Sequence, residues 1–288
     1  MVMILYFSGL FPQLTIAAGT GETIVPGFQC IFFILLFIIQ TYIFSKCYTY
    51  YLLFLLLISI FTLLKDKQVE DFNSKICRSA FFDSLENANL AFRQPHLFAE
   101  LRFDLSSISV PLIEKMVWPE KIIFTCRAGT LSEKERFEAY QIALKKDVDF
   151  IDIDFEADLD LLFALKPEIR NSKTKLILSQ HNFSETPSFE ILKASTQKAF
   201  DLGADMAKIV STAKQISDLE RIYHLYTHFD RLVAFAMGEL AIESRAKILY
   251  LGAPFTYAAF SENEQTAAGQ LNFQQTIDLY NKLKSINI

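Results

Sequence analysis

From Ser74 onward, short apolar runs with the alternation of strands are each followed by a longer stretch whose apolar positions recur every three or four residues, the spacing of a helix. The strand-like runs are Lys75 to Ala80, Leu97 to Phe103, Lys121 to Cys126, Phe150 to Phe155, Lys175 to Ser179, Met206 to Val210, Leu232 to Met237 and Ala246 to Leu251. Helices are predicted near Leu85 to Arg93, Ile108 to Val117, Ser132 to Lys146, Leu159 to Ile169, Ser188 to Leu202 and Ser211 to Tyr226, with a last one from Phe273 to Lys284. Strict alternation implies a parallel sheet, because parallel strands need a crossover long enough to hold a helix. Eight repeats in ~210 residues fit a closed α/β ring, the (β/α)8 TIM barrel, better than an open doubly wound sheet. The seventh crossover is the irregular one, since only Gly238 to Arg245 separates the last two runs.

Before Ser74 the pattern differs. Phe28 to Ser45 and Tyr48 to Leu64 are apolar runs of 18 and 17 residues on either side of Lys46. Each approaches the length that spans a bilayer. Residues 1–68 are therefore read as an apolar leader and residues 69–288 as the barrel domain. No basic residue precedes Glu22, unlike the start of a secretory signal, and Lys65 and Lys67 favour a hairpin with both ends in the cytoplasm. The competing reading is upstream sequence translated in frame. No methionine lies between Met3 and Met116, so an internal start needs another codon, such as the one read as Val69. Both readings stand at this point. Membrane contact is confined to residues 28–64; the barrel is expected in the cytoplasm, anchored only if the leader is made.

Residues 1–64 hold two charged side chains, Glu22 and Lys46, which cancel. The net charge of -5 thus belongs to the rest of the chain, a balance that argues against a nucleic-acid partner. Cys30, Cys47, Cys77 and Cys126 show neither the paired spacing of a zinc site nor the density of a disulfide scaffold, which points to a reducing compartment. Neither a metal nor an organic cofactor is called for, and a homodimer is left open.

The residue out of place is Lys208, in Ala204-Asp205-Met206-Ala207-Lys208-Ile209-Val210. A lysine with apolar strand neighbours either snorkels to solvent or has its ammonium disfavoured by dry surroundings, leaving an amine that attacks ketones. In a barrel, catalytic groups stand where strands end. The unusual polar residues fall there: Glu100 and Arg102 at the second strand, Arg127 after the third, Asp154 at the end of the fourth, His181 after the fifth, Lys208 late in the sixth, and Arg245 and Gln270 in the last two loops. Each alone is explained by a solvated strand end. Together, Arg102, Arg127, Arg245 and Lys208 make a basic mouth on an acidic protein, suited to an anionic small molecule.

Between about Lys75 and Lys284 the chain resembles the type I 3-dehydroquinate dehydratases of the shikimate pathway. The marks are Glu100-Leu101-Arg102, Thr125-Cys126-Arg127, Ser179-Gln180-His181-Asn182-Phe183 with Thr186-Pro187, Gly203-Ala204-Asp205-Met206-Ala207-Lys208, Met237-Gly238-Glu239, Ser244-Arg245 and Gly269-Gln270. The resemblance implies a (β/α)8 barrel in which Lys208 forms a Schiff base with the C3 ketone of 3-dehydroquinate. His181 then removes the C2 proton and returns it to the departing hydroxide, a syn loss of water that yields 3-dehydroshikimate. It further implies that Arg245 pairs with the substrate carboxylate, that Glu100, Arg102 and Arg127 hold ring hydroxyls, and that Thr266 and Gln270 belong to a loop closing over the ligand. The family places a glutamate where this chain has Asp154. One methylene shorter, Asp154 is favoured to orient His181, with Glu156 as the alternative.

Several features are expected to be bland. His224 and His228 stand four apart on a helix without a third metal ligand, Cys126 reads as a buried inert thiol, and Trp118 as packing beneath the barrel. The run Asp152, Asp154, Glu156 has the look of an acidic strand end facing water. Two other function classes remain: a Schiff-base aldolase or transaldolase acting on sugar phosphates, and a membrane-tethered homologue that has lost activity.

Overall fold

The computed structural model describes residues 72–261 and 270–286, with the single positions Leu56 and Ser59. The leader reading and Thr266 lie outside the described residues. Residues 68–280 form one compact unit that contains all eight strands.

Those strands are β1 (Ile76–Ala80), β2 (Phe98–Arg102), β3 (Lys121–Thr125), β4 (Phe150–Asp154), β5 (Lys175–Asn182), β6 (Met206–Thr212), β7 (Leu232–Met237) and β8 (Thr256–Ala259). All pair in parallel, in the order β7-β6-β5-β4-β3-β2-β1-β8, the sequential winding of a (β/α)8 barrel. The helices between them are α1 (Leu85–Phe92), α2 (Glu133–Lys145), α3 (Leu159–Arg170), α4 (Phe189–Asp201), α5 (Ile216–His224) and α6 (Ser244–Tyr250), and α7 (Phe273–Ser285) follows β8.

Two predicted elements differ. The run Ala246 to Leu251 is not the eighth strand but most of α6 and its C-terminal end; the strand lies further on, at Thr256–Ala259. Its composition, apolar with Tyr and Ile, suits a buried helix as well as a buried strand, and periodicity cannot separate the two over six residues. The stretch Ile108 to Val117 forms a short 3-10 helix, Val110–Lys115, in which Pro111 sits at the start where no amide hydrogen is required.

Alternation along each strand builds two apolar layers. Ala99, Leu101, Ile122, Phe124, Ile151, Ile153, Leu176, Leu178, Ala207 and Ile209 point outward and are buried with α-helical residues such as Ala139, Ala143, Leu162, Leu165, Leu192 and Ile222. Cys77, Phe98, Ile123, Phe150, Ile177, Met206, Val233 and Tyr257 form a second cluster that plugs the inside of the ring. At ~1.5–3 kcal/mol for each large side chain removed from water, these layers are the main favourable term in folding. Helix starts are set by sequence: Ser132 and Glu135 form a capping box on α2, and Ser188 accepts the Ile191 amide at the start of α4. A buried ion pair, Arg136 to Asp158, ties α2 to the start of α3 while Arg136 Nε donates to the Cys126 carbonyl at the end of β3.

Candidate active site

Two residues above the inner apolar plug, every strand from β1 to β6 presents a polar group inward: Ser79, Glu100, Thr125, Asp152, Ser179 and Lys208. They close into a hydrogen-bonded belt. Ser79 Oγ donates to Glu100 Oε2 (2.6 Å) and Thr125 Oγ1 to Glu100 Oε1 (3.0 Å). Lys208 Nζ donates to Glu100 Oε1 (3.2 Å) and Asp152 Oδ2 (2.7 Å), and Ser179 Oγ reaches Asp152 Oδ1 (2.5 Å). Lys208 is 4% exposed, and its Nζ lies 4.1 Å from the centre of the Tyr257 ring.

The expected surroundings of Lys208 therefore need correction. Its strand neighbours are apolar, but the nitrogen itself stands between two carboxylates, and it does not snorkel to solvent. Asp152, expected to face water, is instead 1% exposed and is the lysine's shorter contact. Burial, the largest single influence, pushes the Asp152 and Glu100 carboxyls up; Lys208, together with Arg127 at Asp152, Arg102 at Glu100 and the hydrogen bonds of the belt, outweighs it and holds both below the usual carboxylate range. Asp152 is the residue that sequence reasoning missed. The available signal was its phase: it lies two residues before Asp154 and so points into the same interior.

One further step up each strand is the mouth. His181, inside β5 rather than after it, has Nδ1 3.1 Å from Asp154 Oδ2 and Nε2 2.8 Å from Arg127 Nη2. Glu156 instead accepts a bond from Gln180 Nε2 at 2.6 Å. Burial, with Arg127 and Lys208 nearby, drives the His181 imidazole down to about 4 against the opposing pull of Asp154. Asp154 is held below its usual range: burial raises it, and His181 and the amides of Ala157 and Glu156 more than offset that.

The arginines differ in what they have to do. Arg102 is engaged by Asp104 through Nε and Nη2, at 3.1 and 2.6 Å. Arg127 uses Nη2 on His181, and its buried Nε has no hydrogen-bond partner among the described residues. Arg245, on α6, is 5% exposed, and its guanidinium lies 4.2 Å from the centre of the Phe235 ring. Burial brings it down to about 10, so it stays charged at neutral pH. No side-chain hydrogen bond or ion pair engages Arg245 among the described residues, which leaves a buried cation in need of an anion. Gln270 is buried immediately after the undescribed residues 262–269.

A family model described as Type I 3-dehydroquinase matches residues 85–287. The chain belongs to the type I 3-dehydroquinases. A 3-dehydroquinate dehydratase of Dehalococcoides mccartyi is 32% identical over 198 residues, covering 66% of this chain and 86% of that relative. One from Thermococcus gammatolerans is 36% identical over 162 residues, 54% of this chain and 74% of the relative. In fold, this dehydroquinase is similar to the type I enzyme of Clostridium difficile, with a TM-score of 0.64, 20% identity and coverage of 74% of this chain and 93% of that one. The Geobacillus kaustophilus enzyme gives 0.63 and 22% over 74% and 92%. Membership in this family sets aside the sugar-phosphate aldolase reading. Two features motivate the inactive-homologue reading: the apolar leader lies outside the described residues, and the aspartate in place of glutamate at Asp154 leaves the carboxylate within hydrogen-bond reach of His181.

Burial pushes the Cys126 thiol up to about 12, far from a reactive thiolate. His224 and His228 are exposed and lie tilted against the Phe189 ring, and among the described residues no group of three or more His, Cys, Asp or Glu is placed to ligate a metal. No helix among the described residues is long and apolar enough to cross a membrane.

Proposed function

We propose that this 3-dehydroquinate dehydratase, a hydro-lyase, removes water from 3-dehydroquinate through an imine at Lys208, with His181 moving the proton and Asp154 orienting it. The observation that carries the reading is a buried amine in the polar belt one layer below a neutral imidazole on the adjacent strand. Nζ must shed a proton before it attacks the C3 carbonyl, and Asp152 Oδ2, at 2.7 Å, is an acceptor already in contact. Attack forms a carbinolamine, whose loss of water gives an iminium. That cation withdraws electrons from C2, so the C2 proton passes to a ring nitrogen of His181 and the pair left behind forms an enamine. The enamine expels the C1 hydroxyl, which leaves as water with the proton His181 carried. Hydrolysis of the conjugated iminium frees 3-dehydroshikimate and Lys208; the net change is one water lost.

Arg245, a buried guanidinium with no side-chain acceptor among the described residues, suits the substrate carboxylate in a bidentate contact. Arg127, with its open Nε, suits a ring oxygen. Glu100 and Arg102 already have protein partners, so their part in binding hydroxyls comes through the donors and acceptors those partners leave open. Thr266 and Gln270 are assigned to the loop over the ligand by resemblance. Borohydride reduction with 3-dehydroquinate tests the core of this scheme. A stable adduct should form on Lys208 and vanish in Lys208→Ala, and an adduct on any other lysine refutes the assignment.

A further inference from the structure

His181 has both ring nitrogens engaged, and the identity of the partners fixes the proton. A guanidinium donates and cannot accept, so at 2.8 Å from Arg127 Nη2 the Nε2 atom must offer its lone pair. The ring proton then sits on Nδ1 and is donated to Asp154 Oδ2 at 3.1 Å. The lone pair that a base would use on substrate is thus already occupied in the unliganded protein. The occupying group is itself incomplete, because Arg127 Nε is buried without an acceptor among the described residues. Nε and Nη2 share one edge of the guanidinium plane, the edge that grips a pair of oxygens, as Arg102 does with Asp104. Oxygens that fill the empty Nε position and reach for Nη2 compete with His181 for the same donor.

We propose that Arg127 is a latch on the base: in the free enzyme it masks the Nε2 lone pair of His181, and substrate oxygens draw its guanidinium away, baring that lone pair only when the C2 proton is at hand. This rests on the reading of His181 as the base. Arg127 is in this respect a positioning residue, acting on the chemistry through His181 in addition to any contact with substrate. The charged groups that face the imidazole are Arg127 after β3, Asp152 and Asp154 on β4, and Lys208 on β6. Three consequences follow. The masked ring stays neutral well below the ordinary histidine range, with its midpoint near 4. The tautomer is preset with hydrogen on Nδ1. Release is coupled to an oxygen-rich ligand, so water or a simple ketone leaves the latch closed.

Nitrogen-15 NMR of the four histidine rings in the unliganded full-length chain, with the His181 signal assigned by its absence in His181→Gln, tests the latch without reference to turnover. The wild type should show the Nδ1-protonated form titrating near 4. In Arg127→Met the midpoint should rise by about one unit or more, a tenfold change in proton affinity, as the neighbouring cation and its hydrogen bond are lost. Arg127→Lys, which keeps the charge but not the fork, is the second variant should Arg127→Met not fold, and its Nε2 signal should lose the signature of the bound donor. In kinetics, the acid limb of kcat/KM, which reports the free enzyme, should move in these variants, whereas the limb of kcat, which reports the complex, should stay. Ring signals and midpoint unchanged in both variants overturn the proposal, as does a loss confined to KM with both limbs in place. Undiminished turnover in His181→Ala would instead refute the base assignment and leave the ring measurement standing by itself.

Discussion

Asp154 meets His181 although its side chain is one methylene shorter than the family's glutamate, because it ends β4 with Oδ2 turned towards the imidazole while Oδ1 accepts the amides of Glu156 and Ala157. Those two amides hold the carboxylate in place. Asp154→Asn should therefore lower kcat by about 10²-fold or more, since the amide can face Nδ1 with the wrong atom and upset the tautomer. Glu156→Gln, which removes a charge but keeps an oxygen able to accept from Gln180, should change kcat by less than about twofold. Parallel steady-state assays decide between them, and equal losses in the two variants would mean that both carboxylates serve the histidine.

At the scale of elements, the barrel was legible because its seven well-separated apolar runs each fall on a strand; the strand ends were less so, since His181 lies inside β5 and not after it, and Arg245, expected in a loop, is on α6. The eighth element was not. Ala246 to Leu251 is apolar whether it packs as a helix on β7 or as a strand, and what distinguishes the two is the chain reversal before it. That reversal turns on Gly238, whose φ of +99° and ψ of 175° form a conformation reserved for glycine. An added Cβ meets the Ala213 carbonyl oxygen at 3.5 Å and Thr212 Cγ2 at 3.9 Å, both ordinary contacts, so the obstacle is the backbone and not crowding. Gly238→Ala should cost ~1–3 kcal/mol in urea unfolding and raise KM, because Arg245 follows from this turn. The belt around Lys208 was half legible. Glu100 was found from its strand position, but Asp152 was passed over because the run Asp152, Asp154, Glu156 has the composition of a solvated edge, and only the closed ring of neighbours shows its first member to be buried.

For the molecule as a whole, the order β7-β6-β5-β4-β3-β2-β1-β8 means that, among the described residues, main-chain ladders join every neighbouring pair except β7 and β8. Helix α6 lies across that place, packed on both strands, and carries Arg245. A substrate carboxylate held by Arg245 therefore acts on the joint and not only on the pocket. Amide hydrogen exchange along β7 and β8 should slow on binding a carboxylate-bearing product or analogue by more than along β4 and β5, whose ladders are complete without it. Uniform protection around the ring, or none at the joint, would count against this. The barrel is in effect a bracelet with its clasp at one point, and the guest brings the pin.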